Sequence, residues 1–342
     1  MKLSARVMKL SAAHGMFKIA RETITTFNSA VVEIEHEGLV GLGEAAPDRY
    51  FDGETAQVVV KTVQLAGKVV GNDPFLIEDI TAELARKFPK AHATVCAVDM
   101  ALHDLVGKML GVPVYRMLGL NPDKTPVTSF TIGIEEPKVM AERAAAVRDF
   151  KVLKIKVGTK RDEEMLRAIR DVTDLPIRVD ANTGWTKEEA VRNINKLAKF
   201  DIQFVEQPIP PGDNDALRWI KDRAALPIMT DESSVNLKDL PALVGCVDAI
   251  NVKLMKCGGL REAIRMIHFA QANGMKVMLG CMLETSLAIA AAAHISPMVE
   301  YVDLDGNFLI ADDPFEGIEL KAGRHVLSDR PGLGVRSRRA SG

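Results

Sequence analysis

The second half of the chain alternates short apolar runs with amphipathic stretches at nearly even intervals. The apolar runs predict strands at Val127–Ile132, Val152–Val157, Ile177–Ala181, Phe204–Glu206, Ile228–Asp231, Ala249–Lys253, Lys276–Cys281 and Tyr301–Leu304. Between them lie helical patterns. Thr186 and Glu189 have the spacing of a capping box after the third run, and Leu260, Ile264 and Ile267 form an apolar stripe after the sixth. Strands that alternate with helices predict a parallel sheet. Eight such units favour a closed (β/α)8 barrel, with a doubly wound open sheet as the alternative that pattern alone leaves open.

The first third lacks this alternation. Ser29–Glu35 and Leu39–Glu44, joined by His36-Glu37-Gly38, predict a β-hairpin. Helices are predicted near Glu54–Ala66, Pro74–Phe88 and Ala91–Leu110. In the last, Val95, Val98, Leu102, Leu105 and Met109 share one face, and Gly111-Val112-Pro113 ends it. This predicts an α+β domain over residues 1–120, a barrel over 121–320, and a C-terminal segment over 321–342 that returns toward the first domain.

The chemistry stands where the strands end. Lys154-Ile155-Lys156, Asp180-Ala181-Asn182, Glu206-Gln207-Pro208, Asp231-Glu232-Ser233 and Asn251-Val252-Lys253 close consecutive strands. In a barrel those ends converge on one site. A single acid there is as well explained as a helix cap. Asp180, Glu206 and Asp231 in consecutive units would repel one another in a low-dielectric site unless a divalent cation joined them. Oxygen-only donors favour Mg2+, with Mn2+ as the alternative. Lys154 and Lys156 share a strand face, and Lys253 approaches from the opposite side of the barrel. An ammonium group with a pKa of about 10.4 needs a nearby cation and partial desolvation to serve as a base. The plainer alternative is that the lysines only balance the acids. Lys256, beyond the sixth strand, is expected to be solvated.

Composition narrows the partners. The chain has 342 residues, 26% of them charged, and a formal net charge of −2, which argues against nucleic acid or an anionic membrane as partner. No apolar run reaches membrane-span length, and residues 1–15 make a poor signal peptide. Cys96, Cys246, Cys257 and Cys281 are widely spaced, as in a reduced cytoplasmic protein, and the seven histidines show no metal-ligand spacing.

Together these motifs, extended by Asn251-Val-Lys-Leu-Met-Lys-Cys-Gly-Gly259, resemble the muconate lactonizing enzyme subgroup of the enolase superfamily along nearly the whole chain. The resemblance implies a modified barrel under an N-terminal capping domain, with Mg2+ bound by Asp180, Glu206 and Asp231. It implies Lys156 and Lys253 as the acid/base pair and Lys154 as a charge stabiliser at the substrate carboxylate. Asp303-Leu304-Asp305 resembles the Asp-x-Asp with which dipeptide epimerases take up an α-ammonium group. A strand-end turn with a capping Asp is the plainer reading of those two acids.

Arg21, beside Glu22 in the segment Phe17–Glu22, resembles the arginine that pairs with a glutamate side chain in Ala-Glu epimerases. Asp48–Glu54 is expected to help close the site. Thr131, Cys281 and Leu283 are expected to touch the dipeptide backbone, and Glu284 to be either a supporting polar group or a helix-start acid. The implied activity is epimerisation of the C-terminal residue of a dipeptide. L-Ala-L-Glu to L-Ala-D-Glu is the best specific expectation, in bacterial murein peptide recycling, by a cytoplasmic homo-oligomer. N-succinylamino acid racemase, o-succinylbenzoate synthase and muconate cycloisomerase share the machinery but not a free ammonium group on the substrate. A glycosidase on the same kind of barrel would use two of the carboxylates without a metal. The glycines Gly38, Gly41 and Gly43 do not form a nucleotide-binding pattern, and Ser233 and Ser286 show no His–Asp partners.

Overall fold

The computed structural model describes residues 1–20, 22–51 and 53–338. An antiparallel sheet of three strands comes first: β1 (Lys2–Ser11), β2 (Thr26–His36) and β3 (Leu39–Ala45), in that order. The β2–β3 hairpin turns on Glu37 (φ 48°) and Gly38 (φ 78°). Two central residues at positive φ match the right-handed twist of the strands they join. β1 has no counterpart among the predicted strands. Its alternation, with Leu3 and Ala5 partly buried and Met8 and Leu10 buried, slips at exposed Val7.

Helices α1 (Ala56–Ala66), α2 (Ile77–Lys87) and α3 (His92–Leu110) cover the sheet. α3 departs from its predicted single apolar face: it is buried all round from Ala93 to Gly107. The reason is its position between β3 and the barrel. Gly41 and Gly43 make the approach to β3 feasible, because a Cβ at either would collide with the Ala101 or Ala97 carbonyl. Facing the barrel, Asp99 accepts a hydrogen bond from Leu260 N (2.6 Å), at the start of the helix Leu260–Ala272. Glu44 of β3 accepts from Thr285 N (3.2 Å) and Ala288 N (3.3 Å), at the start of the helix Ser286–Ile295. Carboxylates of the first domain thus satisfy the unpaired amides of two barrel helices.

Eight parallel strands form the larger sheet among the described residues: β4 (Ser129–Ile132), β5 (Val152–Lys156), β6 (Ile177–Asp180), β7 (Ile202–Glu206), β8 (Ile228–Thr230), β9 (Ala249–Lys253), β10 (Lys276–Gly280) and β11 (Tyr301–Asp303). They lie in sequence order, and a Thr128–Val302 bridge with a Leu304 N to Thr128 Oγ1 bond (2.8 Å) closes the ring. The predicted capping box of Thr186 and Glu189 opens the helix Lys187–Leu197.

Side chains two residues apart on a strand share a face. Phe204, Met229, Ala249 and Met278, with Tyr301, therefore form a packed layer two positions below Glu206, Asp231, Asn251, Gly280 and Asp303. Arg178 completes that layer, its guanidinium 5.1 Å from the Tyr301 ring centre and 2.6 Å from Val302 O. This layer is the floor of the site. After Phe308 the chain bridges Ile310 to Ala12 and Gly332 to Pro113, running back over the first domain.

Candidate active site

A cavity of about 520 Å³ lies between the C-terminal ends of the barrel strands and the first domain. Lys154, Lys156, Lys253, Thr131, Cys281, Leu283, Asp303 and Asp305 line it from the barrel side. Phe17, Ile19, Glu22 and Ile24 line it from a small hairpin of the first domain, with Asp48, Arg49 and Glu54 from the segment after β3. Arg21 lies outside the described residues.

Asp180 and Glu206 are fully buried beneath this cavity, and Asp231 is 1% exposed. Lys154 Nζ stands among three carboxylates: Asp180 Oδ2 (3.1 Å), Glu206 Oε2 (2.8 Å) and Asp303 Oδ2 (2.8 Å). Lys156 Nζ reaches Asp180 Oδ2 at 2.7 Å, and Lys253 Nζ reaches Asp231 Oδ2 at 2.8 Å. Burial pushes the Asp180 and Asp231 carboxyls up. The Lys156 and Lys154 charges on the first, and Lys253 and Lys256 on the second, outweigh burial and hold both well below the usual range. Glu206 goes the other way, to about 7, through burial and the neighbouring Asp180 charge. Burial lowers the Lys253 ammonium, the direction expected of a base, but the Asp231 charge overrides it and keeps the amine above its ordinary value.

Among the described residues no three acid, His or Cys groups are arranged to hold a metal ion as they stand. The lysine Nζ atoms take the carboxylate oxygens. The donor set nevertheless fits a divalent cation. The acids are buried on adjacent strands, Asp231 is near enough to raise both Asp180 and Glu206, and Glu206 Oε2 has the Lys154 charge beside it but no aligned hydrogen-bond donor. Such convergence of negative charge favours an added cation with oxygen ligands.

Local structure fixes each acid. Asp180 Oδ1 accepts from Asn182 N (2.9 Å), and Asn182 (φ 42°) and Thr183 (φ 66°) sit in the left-handed region. Asn251 donates to Glu206 Oε1 (2.7 Å) and has room because residue 280 is glycine; a Cβ there would lie 2.5 Å from Asn251 Oδ1. Gln207 (φ 37°) accepts from Asp231 N (2.9 Å) and Ser233 N (3.1 Å). No role was legible for these amides in the sequence; the signal for Asn182 and Gln207 was closeness to an acid, and for Asn251 its place two residues before Lys253.

Lys256 corrects an expectation. It is 1% exposed rather than solvated, because the chain after β9 folds at once into the short helix Leu254–Cys257 and turns it inward. Asp303 Oδ1 accepts from Ser129 Oγ (2.6 Å), and Asp305 Oδ2 accepts from Thr131 N (2.5 Å). Burial and the Asp303 charge push the Asp305 carboxyl up to about 7, while Lys154 holds Asp303 low against burial. Asp305 makes no side-chain cap bond to the turn Gly306–Leu309, so the plainer capping reading lacks its contact. Cys281 Sγ faces Asp303 O at 3.3 Å. Glu284 accepts from Met282 N (2.8 Å) and is buried beside the first domain.

The sequence matches two family models: "Mandelate racemase / muconate lactonizing enzyme, N-terminal domain" over residues 2–119 and "Enolase C-terminal domain-like" over residues 139–341. The chain belongs to the mandelate racemase / muconate lactonizing enzyme family. Among relatives, it is 45% identical to an L-Ala-D/L-Glu epimerase of Bacteroides thetaiotaomicron, over 98% of this chain and 88% of that one. It also resembles the solved dipeptide epimerase of Enterococcus faecalis with Mg and L-Leu-L-Tyr (TM-score 0.92, 37% identity, 98% and 99% of the two chains). The dipeptide epimerase of Methylococcus capsulatus with Mg and L-Arg-D-Lys matches at TM-score 0.90 and 35% identity, over 98% of each chain. The substrates named for these three relatives share a dipeptide and differ in side chain.

Proposed function

We propose that this protein is a Mg2+-dependent dipeptide epimerase that inverts the α-carbon of the C-terminal residue. The observation that carries the reading is the placement of Lys156 and Lys253. They come from the second and sixth barrel strands, each 7% exposed, each lining the same cavity, with the acids Asp303 and Asp305 in its wall. Two amines on strands across a barrel suit removal of a proton from one face of a carbon and its return to the other. Asp180, Glu206 and Asp231 hold the Mg2+, which when bound supplies charge stabilisation at the substrate carboxylate.

In the L-to-D direction one lysine takes the α-proton as a neutral amine. The other, as an ammonium group, delivers its proton to the opposite face of the planar anion. Lys154 adds positive charge on the carboxylate side. Asp303 and Asp305 receive the α-ammonium group of the first residue, and their buried negative charge discriminates against acylated or dicarboxylate substrates. Thr131, Cys281 and Leu283 bound the dipeptide backbone. Burial of the site keeps water from competing for the proton.

L-Ala-L-Glu is the preferred substrate in this reading, supported by the 45% identity to the Bacteroides enzyme and by the presence of Arg21 beside Glu22 in the sequence. That substrate is in keeping with murein peptide recycling in the cytoplasm, and a barrel of this kind suits a homo-oligomer. No helix among the described residues is long and apolar enough to cross a membrane. The test is a dipeptide library in D2O with Mg2+, read by mass spectrometry and chiral chromatography. One deuterium gained at the second residue's α-carbon, with conversion of L-Ala-L-Glu, is expected. Metal-independent turnover, or label on N-acyl amino acids alone, would overturn the reading.

A further inference from the structure

Lys256 is the most completely enclosed of the site's lysines, and the acid/base scheme does not use it. Its Nζ lies 2.5 Å from Asp231 Oδ1, 2.7 Å from Asp231 O, 3.0 Å from Asn251 O and 3.2 Å from Ser234 O. The Phe51 ring of the first domain lies over it, its centre 5.8 Å from Nζ. Unlike Lys253, it does not line the cavity. An ammonium group has three N–H donors, and four oxygens of three residues, Asp231 and Ser234 in one turn and Asn251 on β9, surround this one. A buried cation is costly without partners, and full coordination of this kind offsets that cost.

The two lysines divide Asp231 between them. Lys256 takes Oδ1 and the main-chain carbonyl of the same residue, while Oδ2 is the oxygen turned toward Lys253. On the other side Gln207 holds Asp231 N. Rotation of the Asp231 carboxylate would break the 2.5 Å contact. The nearby Asn251 is fixed at both ends as well: its carbonyl meets Lys256 and its amide donates to Glu206. One ammonium group therefore ties the orientations of two acids, Asp231 directly and Glu206 through Asn251.

We infer that Lys256 is a positioning residue for the metal: it locks the Asp231 carboxylate with one oxygen presented to the site and, through Asn251, steadies Glu206. The inference rests on the reading of Asp231 and Glu206 as Mg2+ ligands. Partners that orient metal ligands are worth about 10–100-fold in metal affinity. A purely electrostatic role has the opposite sign, because removing a positive charge beside a dication site tightens binding. A purely structural role would lower the melting temperature and leave the affinity of the folded protein unchanged.

The experiment is calorimetric titration of Mg2+ into the full chain without substrate, with circular dichroism as the fold control. Lys256→Met is expected to weaken Mg2+ binding at least tenfold. Lys256→Arg keeps the charge, but a planar fork cannot meet four oxygens gathered around one nitrogen, so it is expected to weaken binding at least fivefold. If the methionine variant does not fold, the arginine variant decides alone. Unchanged or tighter binding in Lys256→Met, or wild-type affinity in Lys256→Arg, would overturn the inference. A wild-type chain that takes up no Mg2+ would remove the metal reading itself, and its own trace tells that failure from the others.

Discussion

At the scale of single residues, Lys156 and Lys253 differ in their partners though not in their burial. Each is held against one acid of the site, Asp180 or Asp231. Replacing either with alanine should abolish epimerisation, a loss of at least a thousandfold in kcat. The remaining lysine should still exchange the α-proton of one diastereomer with solvent, because removal and return on one face need only one amine. Proton NMR in D2O, run separately on the L,L and L,D dipeptides, checks this. Exchange of both diastereomers by a single variant would break the two-face assignment.

The ammonium site calls for a different choice of variant. Asp303 already meets Lys154 and Ser129, so its removal disturbs the carboxylate cluster as well. Asp305 accepts from Thr131 N and stands outside the lysine–carboxylate cluster, so Asp305→Asn isolates the recognition step. KM for L-Ala-L-Glu should rise about tenfold or more with kcat changed less, in steady-state kinetics at saturating Mg2+. An unchanged KM would place ammonium recognition elsewhere. The acids and amines were legible in sequence because strand-end position and residue type together limit what they can do. Lys256 was not: a lysine after a strand reads as solvated until the chain is seen to turn inward on carbonyl oxygens.

At the scale of elements, the glycines of β3 carry a packing constraint. Gly43 lies so close to α3 that a methyl group would enter the Ala97 carbonyl. Gly43→Ala should therefore force β3 and α3 apart and cost about 1–3 kcal/mol or more. That predicts a melting temperature lower by several degrees, measured by calorimetry. The same glycines read in sequence only as a failed nucleotide motif. Period and polarity revealed the eight barrel strands and the β2–β3 hairpin, because these bury one face or lie wholly inside. β1 escaped because its alternation slips at Val7 and charged residues occupy its outer face. α3 was legible as a helix, but its full burial was not. Asp99, His103 and Asp104 look like a polar face until a barrel amide and the returning C-terminal segment are packed against them.

At the scale of the whole molecule, the seam between the first domain and the barrel encloses Glu44 and Glu284 as well as Asp99. Burial pushes Glu44 up to about 7 against its bonds from Thr285. It pushes Glu284 up to about 8 against its bond from Met282, and the Glu44 charge adds to that shift. A carboxyl raised in the folded state binds its proton more tightly there than when unfolded. Its contribution is complete below the unfolded value and is lost as pH rises to the folded one. The buried imidazoles His294 and His325, both lowered to about 4 by burial, act in the opposite direction. Their contribution is lost as pH falls from about 6.5 toward 4. Below pH 6.5 the two effects oppose each other, and above it the glutamates act without the histidines.

Glu206 and Asp305 release their protons near pH 7, as Glu44 does, so between about 7 and 8 Glu284 is the one of these groups still protonated in the folded chain. Each such group tilts stability by about 1.4 kcal/mol per pH unit. The melting temperature should therefore fall from pH 6.5 to 8. Glu284→Gln, which stays neutral and keeps an acceptor for Met282 N, should flatten the last part of that fall by about one group's share. Calorimetric scans of both proteins at half-unit steps, in a chelator to keep metal linkage out, decide the matter. Parallel curves for the two proteins would mean that Glu284 ionises in the fold as easily as in water, and that the seam is wetter than its packing indicates.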